Sequence, residues 1–158
     1  MWIPVRRFRL FTLKLLGMKI GENTIICRNV SFRNCKNIEI GAGCVINSNC
    51  LLDGRRAKII IGNNVDIAQE VIIWTLEHDS QTHEPIAGKV IIGNYCWIGC
   101  RSVIMPNCLI GDDSICAACS VVTKDVKPNS IVGGVPAKFI RNRNRKINYK
   151  LFFNSMFR

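Results

Sequence analysis

The apolar positions of this chain keep a spacing that is neither helical nor that of a long alternating strand. In the second half one column recurs every six positions, at Ile92, Ile98, Ile104, Ile110, Cys116 and Val122. Glycine follows it at Gly93, Gly99 and Gly111, and small residues stand four positions on, at Cys96, Ser102, Cys108, Ser114 and Ser120, with Cys119 beside the last. The first half carries the same beat in three runs: Ile20, Ile26, Phe32 and Ile38; Ile40, Ile46 and Leu52; Ile61, Ile67 and Ile73. Its phase slips near residues 38 and 57, where a residue or two is inserted.

A fixed short period is the mark of a solenoid, and a six-residue period is that of a parallel β-helix. One short strand with a single apolar residue on its inner side buries nothing alone. Stacked at about 4.8 Å, such strands line a continuous core. Glycine after the inner residue lets the chain turn from one face to the next, and the small residue must fit inside that turn. The pattern therefore predicts an all-β solenoid over residues 20–140. A length of 158 residues suits one domain.

The repeat accounts for most of the nine cysteines. Cys44, Cys50, Cys96, Cys108 and Cys119 read as small residues at turns, where a buried thiol acts as a small hydrophobe. Cys116 takes the aliphatic slot. Cys116-Ala-Ala-Cys119 has the form of a metal or redox pair, but it lies inside the repeat with no second ligand pair at zinc spacing, so no metal is expected. An odd number of scattered cysteines suits a reducing cytoplasm better than a disulfide framework.

Charge divides the chain differently. The formal net charge is +11, yet the middle is near neutral. Residues 1–19 hold Arg6, Arg7, Arg9, Lys14 and Lys19 and no acid; residues 137–158 hold Lys138, Arg141, Arg143, Arg145, Lys146, Lys150 and Arg158 and no acid. Such ends suit the phosphates of a cofactor or an anionic membrane surface. No nucleic-acid-binding motif accompanies them, so nucleic acid is not an expected partner. Segment 5–16 has the makings of a short basic helix stopped by Gly17, read first as a cap over the solenoid's open end and second as a membrane-surface helix. The tail 141–158 mixes bases with Tyr149, Phe152, Phe153 and Phe157. No run of 18 apolar residues exists, and the start lacks the order of a signal peptide.

The beat stops after Ile73 and resumes near Val90. Residues 74–89, WTLEHDSQTHEPIAGK, form an extruded loop holding both histidines, His78 and His83, beside Glu77, Asp79 and Glu84. A long excursion from a regular body is usually functional, and an imidazole near its reference pKa of about 6.5 serves as a general base at neutral pH. The alternative is a solvated polar loop, which remains open for His83.

The repeat, the His78-Asp79 pair in the loop, Trp97-Ile98-Gly99, Val121-Val122-Thr123-Lys124-Asp125 and Gly134-Val135-Pro136-Ala137-Lys138 occur in one order. Together they resemble the hexapeptide-repeat O-acetyltransferases, of the galactoside, maltose, nodulation, capsule, colanic acid and O-antigen kinds, over residues 17–141. The resemblance implies a left-handed parallel β-helix with short N- and C-terminal caps. It also implies a homotrimer with acetyl-CoA bound between subunits and direct transfer to a saccharide acceptor. His78 matches the family's catalytic base, with Asp79 beside it. Trp97 resembles the residue along the pantetheine arm, Gly99-Cys100 the oxyanion donor turn, and Ala118 a backbone contact to that arm. Thr123 and Lys124 match positions near the nucleotide, and Lys138 and Arg141 match basic positions near the CoA phosphates. Asn47, Asn49 and Asp53 are the candidates for holding the acceptor. The short N-terminal segment shifts the expected acceptor toward a glycan or lipid-linked saccharide in cell-surface polysaccharide synthesis, handled in the cytoplasm at the inner membrane face.

Rival readings are a sugar-nucleotide N-acetyltransferase and a non-catalytic β-helix scaffold. The second leaves His78, Trp97 and Lys124 unexplained. A γ-class carbonic anhydrase needs three histidine ligands, and the chain has two histidines.

Overall fold

The computed structural model describes residues 6–144. The rest of the basic tail lies outside the described residues. Between Lys19 and Gly133 the chain winds as a three-faced parallel β-helix, as the six-residue beat predicts. The first face stacks Lys19–Ile20, Ile38–Ile40, Ile59–Ile61, Val90–Ile92 and Leu109–Ile110. The second stacks Ile25–Ile26, Val45–Ile46, Asp66–Ile67, Trp97–Ile98, Ile115–Cys116 and Ser130–Gly133. The third stacks Ser31–Arg33, Leu51–Asp53, Ile72–Trp74, Val103–Ile104 and Val121–Val122.

The inner column of the sequence is the core of the solenoid. Ile26, Ile46, Ile67, Ile98 and Cys116 line up on the second face, and Ile61, Ile92 and Ile110 on the first, all buried. Where the phase slips, the corner takes up the extra residues. A single 3-10 turn, Cys35–Asn37, absorbs the first insertion, and Ile40 still pairs with Ile61.

The corners follow one rule. The third residue after the inner aliphatic adopts the left-handed conformation, as at Asn23, Asn29, Asn49, Asn64, Tyr95, Arg101, Asn107 and Asp113. Asparagine and aspartate tolerate this region best among residues with a Cβ. The fourth residue then points into the turn: Cys44, Cys50, Cys96, Ser102, Cys108, Ser114 and Ser120 are all buried. Ser120 Oγ bonds Ala117 O of its own corner (2.6 Å), and the other Sγ or Oγ atoms bond carbonyls of the next coil, as Cys44 to Gly62 (3.0 Å) and Ser102 to Ala117 (2.9 Å). Cys119 departs from the sequence reading. It is the left-handed residue of its corner, exposed at φ 59°, and Ser120 fills the turn. Cys116 faces the core while Cys119 faces out, so the two thiols do not form a pair.

Helix α1, Arg6–Leu15, lies on the first coil. Its end is set by Gly17 at φ +90°: the Gly17 amide donates to Lys14 O and the Met18 amide to Leu13 O, with Leu13 and Met18 buried together. This double bond and its apolar contact are the Schellman arrangement. Arg9 is buried beneath the helix and donates to the Ile26 carbonyl. At the other end Lys138–Asn142 folds back antiparallel along Ser130–Gly133. No described helix is long and apolar enough to cross a membrane.

Candidate active site

The excursion is an antiparallel hairpin rather than an irregular loop. Trp74 still belongs to the wall. Leu76–His78 pairs with Pro85–Ala87, with His78 opposite Pro85. Two residues fasten its base. The Thr75 hydroxyl donates to the Asp53 carbonyl (2.6 Å), and the Gly88 amide donates to the Thr75 carbonyl (3.1 Å). A Cβ at Gly88 would lie 2.3 Å from the Asn107 side chain, so the returning chain presses on the next corner as only glycine can.

Asp79 organises the hairpin's tip. Its carboxylate accepts from the amides of Gln81 (2.8 Å) and Thr82 (2.9 Å), and its carbonyl accepts from the His83 amide. The Thr82 and then the Gln81 amide hold the carboxyl below its usual range. The acid that the sequence sets beside His78 thus builds the turn that presents it. The exposed His78 ring stacks on His83 at 4.8 Å, with an interplanar angle of 15°.

The second group of expected residues lies elsewhere. Trp97 stands on the outside of the second face, 46% exposed, between Asp66 and Ile115. The chain then turns at Gly99–Ser102, stacked on Ala117–Ser120. A Cβ on Gly99 would sit 2.5 Å from the Ala118 nitrogen, which explains the glycine. The Gly99 amide is committed to the Cys116 carbonyl at 2.8 Å. Among the described residues no protein acceptor takes the amides of Cys100 or Ala118, both exposed. This corner therefore offers two stacked N–H donors to an incoming carbonyl, and the donor at the Gly99-Cys100 turn is the second residue. Lys138 and Arg141 lie exposed on the strand that folds back along the same face. Arg143 ties that strand down through bonds to Tyr95 O (3.0 Å) and Asp113 O (3.2 Å). Thr123 and Lys124 belong to the other edge, the one that carries the hairpin; Lys124 borders a cleft of about 470 Å³ with Lys127, Phe139 and Asn142.

The predicted residues therefore sit along two different edges of the prism. One edge carries His78 and Asp79, with Thr123 and Lys124 further along it. The other carries Trp97, Gly99, Cys100 and Ala118. A single chain does not bring the two edges together.

The acceptor candidates separate as well. Asp53 is buried and paired with Arg55 (2.8 Å) and Arg33 (3.3 Å); burial alone would raise its pKa, but the arginines, Arg55 foremost, bring it below the usual range. Asn49 is a left-handed corner residue accepting from Asn29 (2.7 Å). Asn47 donates to Ile67 O (3.0 Å) and to the Asp66 carboxylate (3.2 Å). Asp66 was not singled out from the sequence. It occupies an outward slot whose neighbours in the column are Val45 and Trp97, and burial raises its pKa despite the Asn47 bond. The signal was present in the column: a carboxylate where the stacked residues are apolar.

The buried thiols are unsuited to nucleophilic work. Burial pushes Cys50 and Cys108 to about 11 and Cys96 and Cys116 to about 12. Among the described residues no group of three or more His, Cys, Asp or Glu side chains is placed to hold a metal ion.

Residues 89–124 match the family pattern described as bacterial transferase hexapeptide (six repeats). The chain is 34% identical to the galactoside O-acetyltransferase of Escherichia coli over 145 residues, covering 89% of this chain and 71% of that protein. It is 27% identical to the Escherichia coli dTDP-4-amino-4,6-dideoxy-D-glucose acyltransferase over 85% of this chain and 88% of the relative. A hexapeptide-repeat acetyltransferase of Vibrio cholerae, solved in complex with acetyl coenzyme A, superposes with a TM-score of 0.82 at 32% identity, over 88% of this chain and 78% of that one.

Proposed function

The chain belongs to the hexapeptide-repeat acetyltransferases, and from that premise we propose that it carries acetyl from acetyl-CoA to a hydroxyl of a saccharide, with His78 as general base. The observation that carries the reading is the pair of uncommitted amides at Cys100 and Ala118 beside the exposed Trp97. Trp97 lies along the pantetheine arm, and the Ala118 amide holds one of its carbonyls. Thr123, Lys124, Lys138 and Arg141 take the nucleotide and phosphate end. Two subunits bring the hairpin of one against the Trp97 edge of the next, in a homotrimer.

His78 takes the acceptor's proton as that oxygen bonds to the thioester carbon. The Cys100 amide stabilises the oxyanion that forms. The carbon–sulfur bond then breaks, the acetyl ester leaves with the acceptor, and the proton passes to the CoA thiolate. Residues 20–140 form the catalytic body, between the basic N-terminal cap segment 1–19 and the basic C-terminal tail 141–158. The setting is the cytoplasm, where free thiols persist, at the inner face of a membrane on which surface polysaccharide is made.

A second reading, an amino-sugar acceptor, is favoured by Asp66. A carboxylate beside Asn47 and Trp97 suits an ammonium or a donor-rich sugar. Acetyl transfer to matched hydroxyl and amino sugars, followed by chromatography of released CoA, separates the two. Asp66→Leu should lower use of the amino sugar selectively. Acetyl-CoA binding measured by calorimetry decides the common premise, and its absence in the wild-type protein sinks both readings.

A further inference from the structure

Helix α1 has two apolar sides. At 100° per residue, Leu10 and Leu13 point to one side, together with the buried Arg9. Leu13 and Arg9 are 1% and 2% exposed and seal the first coil. Phe8, Phe11 and Leu15 point to the opposite side and stand 60%, 59% and 71% exposed. The inward side explains why the helix caps the solenoid. It does not explain two phenylalanines and a leucine in water on the far side.

Charge says what covers that side. No acid occurs between residues 1 and 21, while Arg6, Arg7, Arg9, Lys14 and Lys19 do. Lys14 is exposed on the helix flank, and the Lys36 side chain lies against Gly17 at the helix end. Glu39, one coil further on, is taken up by Lys19 (3.2 Å) and Lys58 (3.3 Å). An exposed apolar stripe on a segment that holds basic residues and no acid is the pattern of a helix lying in an anionic lipid surface. A second copy of the same helix would bring like charges together and is disfavoured on that ground.

We propose that the exposed side of α1, through Phe8, Phe11 and Leu15, docks the protein on an anionic bilayer with the solenoid axis pointing away from it. The helix is ten residues long, so it lies in the interface and does not cross. This deepens the membrane-face setting proposed above, and it assigns that contact to the N-terminal end. In a trimer with parallel axes three such helices share one plane, and three weak contacts reinforce one another.

Vesicle co-sedimentation tests it with the full chain. Binding is expected to phosphatidylcholine vesicles holding about a quarter phosphatidylglycerol, at low salt, and to weaken in high salt and on phosphatidylcholine alone. Phe11→Ser with Leu15→Ser, both at exposed positions, should reduce binding at least about tenfold. Circular dichroism and vesicle-free acetyl-CoA calorimetry confirm that the variant stays folded and keeps the groove. No wild-type binding to the anionic vesicles overturns the proposal. So does undiminished binding of the double variant, which would move the contact to the basic tail. A change in oligomeric state of the double variant without lipid overturns it too, by giving the side to another subunit. None of these outcomes touches acetyl-CoA binding, so the docking and the transferase reading fail separately.

Discussion

Two corners of one coil receive opposite treatment. At Gly99–Ser102 the repeat is kept to the letter: glycine where a Cβ would strike Ala118, a left-handed Arg101, a buried serine bonded to the coil above. At Thr75–Lys89 it is abandoned for a hairpin, and the wall resumes at Val90 as if nothing had intervened, with Ile61 paired to Ile92. The kept corner supplies backbone donors whose position is fixed by stacking on both sides. The broken corner supplies a side chain that the wall has no slot for. Backbone groups that meet developing charge gain from rigidity, because they need no rearrangement as the reaction proceeds. A proton acceptor has to reach beyond the flat face, and the hairpin extends the chain past it.

That contrast is broken most severely at the hairpin. His78→Ala is expected to lower kcat by roughly 10²–10⁴, the usual worth of a general base, while acetyl-CoA affinity holds. Turnover unchanged by the substitution would remove the imidazole from the chemistry. At the kept corner, Gly99→Ala forces Ala118 outward and should destabilise the protein by about 1–3 kcal/mol. It should weaken acetyl-CoA binding with it, because both amides ride on that corner; calorimetric melting and titration read the two effects. Trp97→Ala should weaken acetyl-CoA binding by about tenfold with little change in melting, since its ring is half exposed. An unaltered Kd would move the groove off this face.

The smallest effect sharpens the comparison by pH. The folded-state pKa of Asp79 is depressed, so its share of hairpin stability is present above the ordinary aspartate value of about 3.9 and is lost as pH falls through the lowered one. Protection of the Gln81 and Thr82 amides from exchange, relative to their intrinsic rates, should fall on acidification while that of the Gly99 amide holds. Asp79→Asn should remove that pH dependence. Equal loss of protection at both corners would mean that the hairpin and the wall open as one unit.

The wall was legible because burial writes it. Each inner residue repays its place in the core, so Ile98, Ile104 and Ile110 announce themselves by spacing. The hairpin strands were not legible. His78 and Pro85 to Ala87 are exposed and bury nothing, so no alternation marks them. Cys119 was misplaced by one position, the difference between the residue that bends the corner and the one that fills it. Pairs such as Asn47 with Asp66, or Arg33 with Asp53, join residues one coil apart. Insertions at two corners make coil length uneven, and such pairs emerge only once the register of the strands is known.

The undisturbed pairing of Ile61 with Ile92 across the hairpin also bears on how such a protein changes over generations. Lengthening a surface excursion costs little, since closing a loop becomes dearer only with the logarithm of its length. Each coil leans only on its neighbours. The stretch between Thr75 and Gly88 can therefore be rewritten, extended or exchanged without renegotiating the body beneath it. The excursion and the wall that carries it are thus inherited on separate stretches of chain.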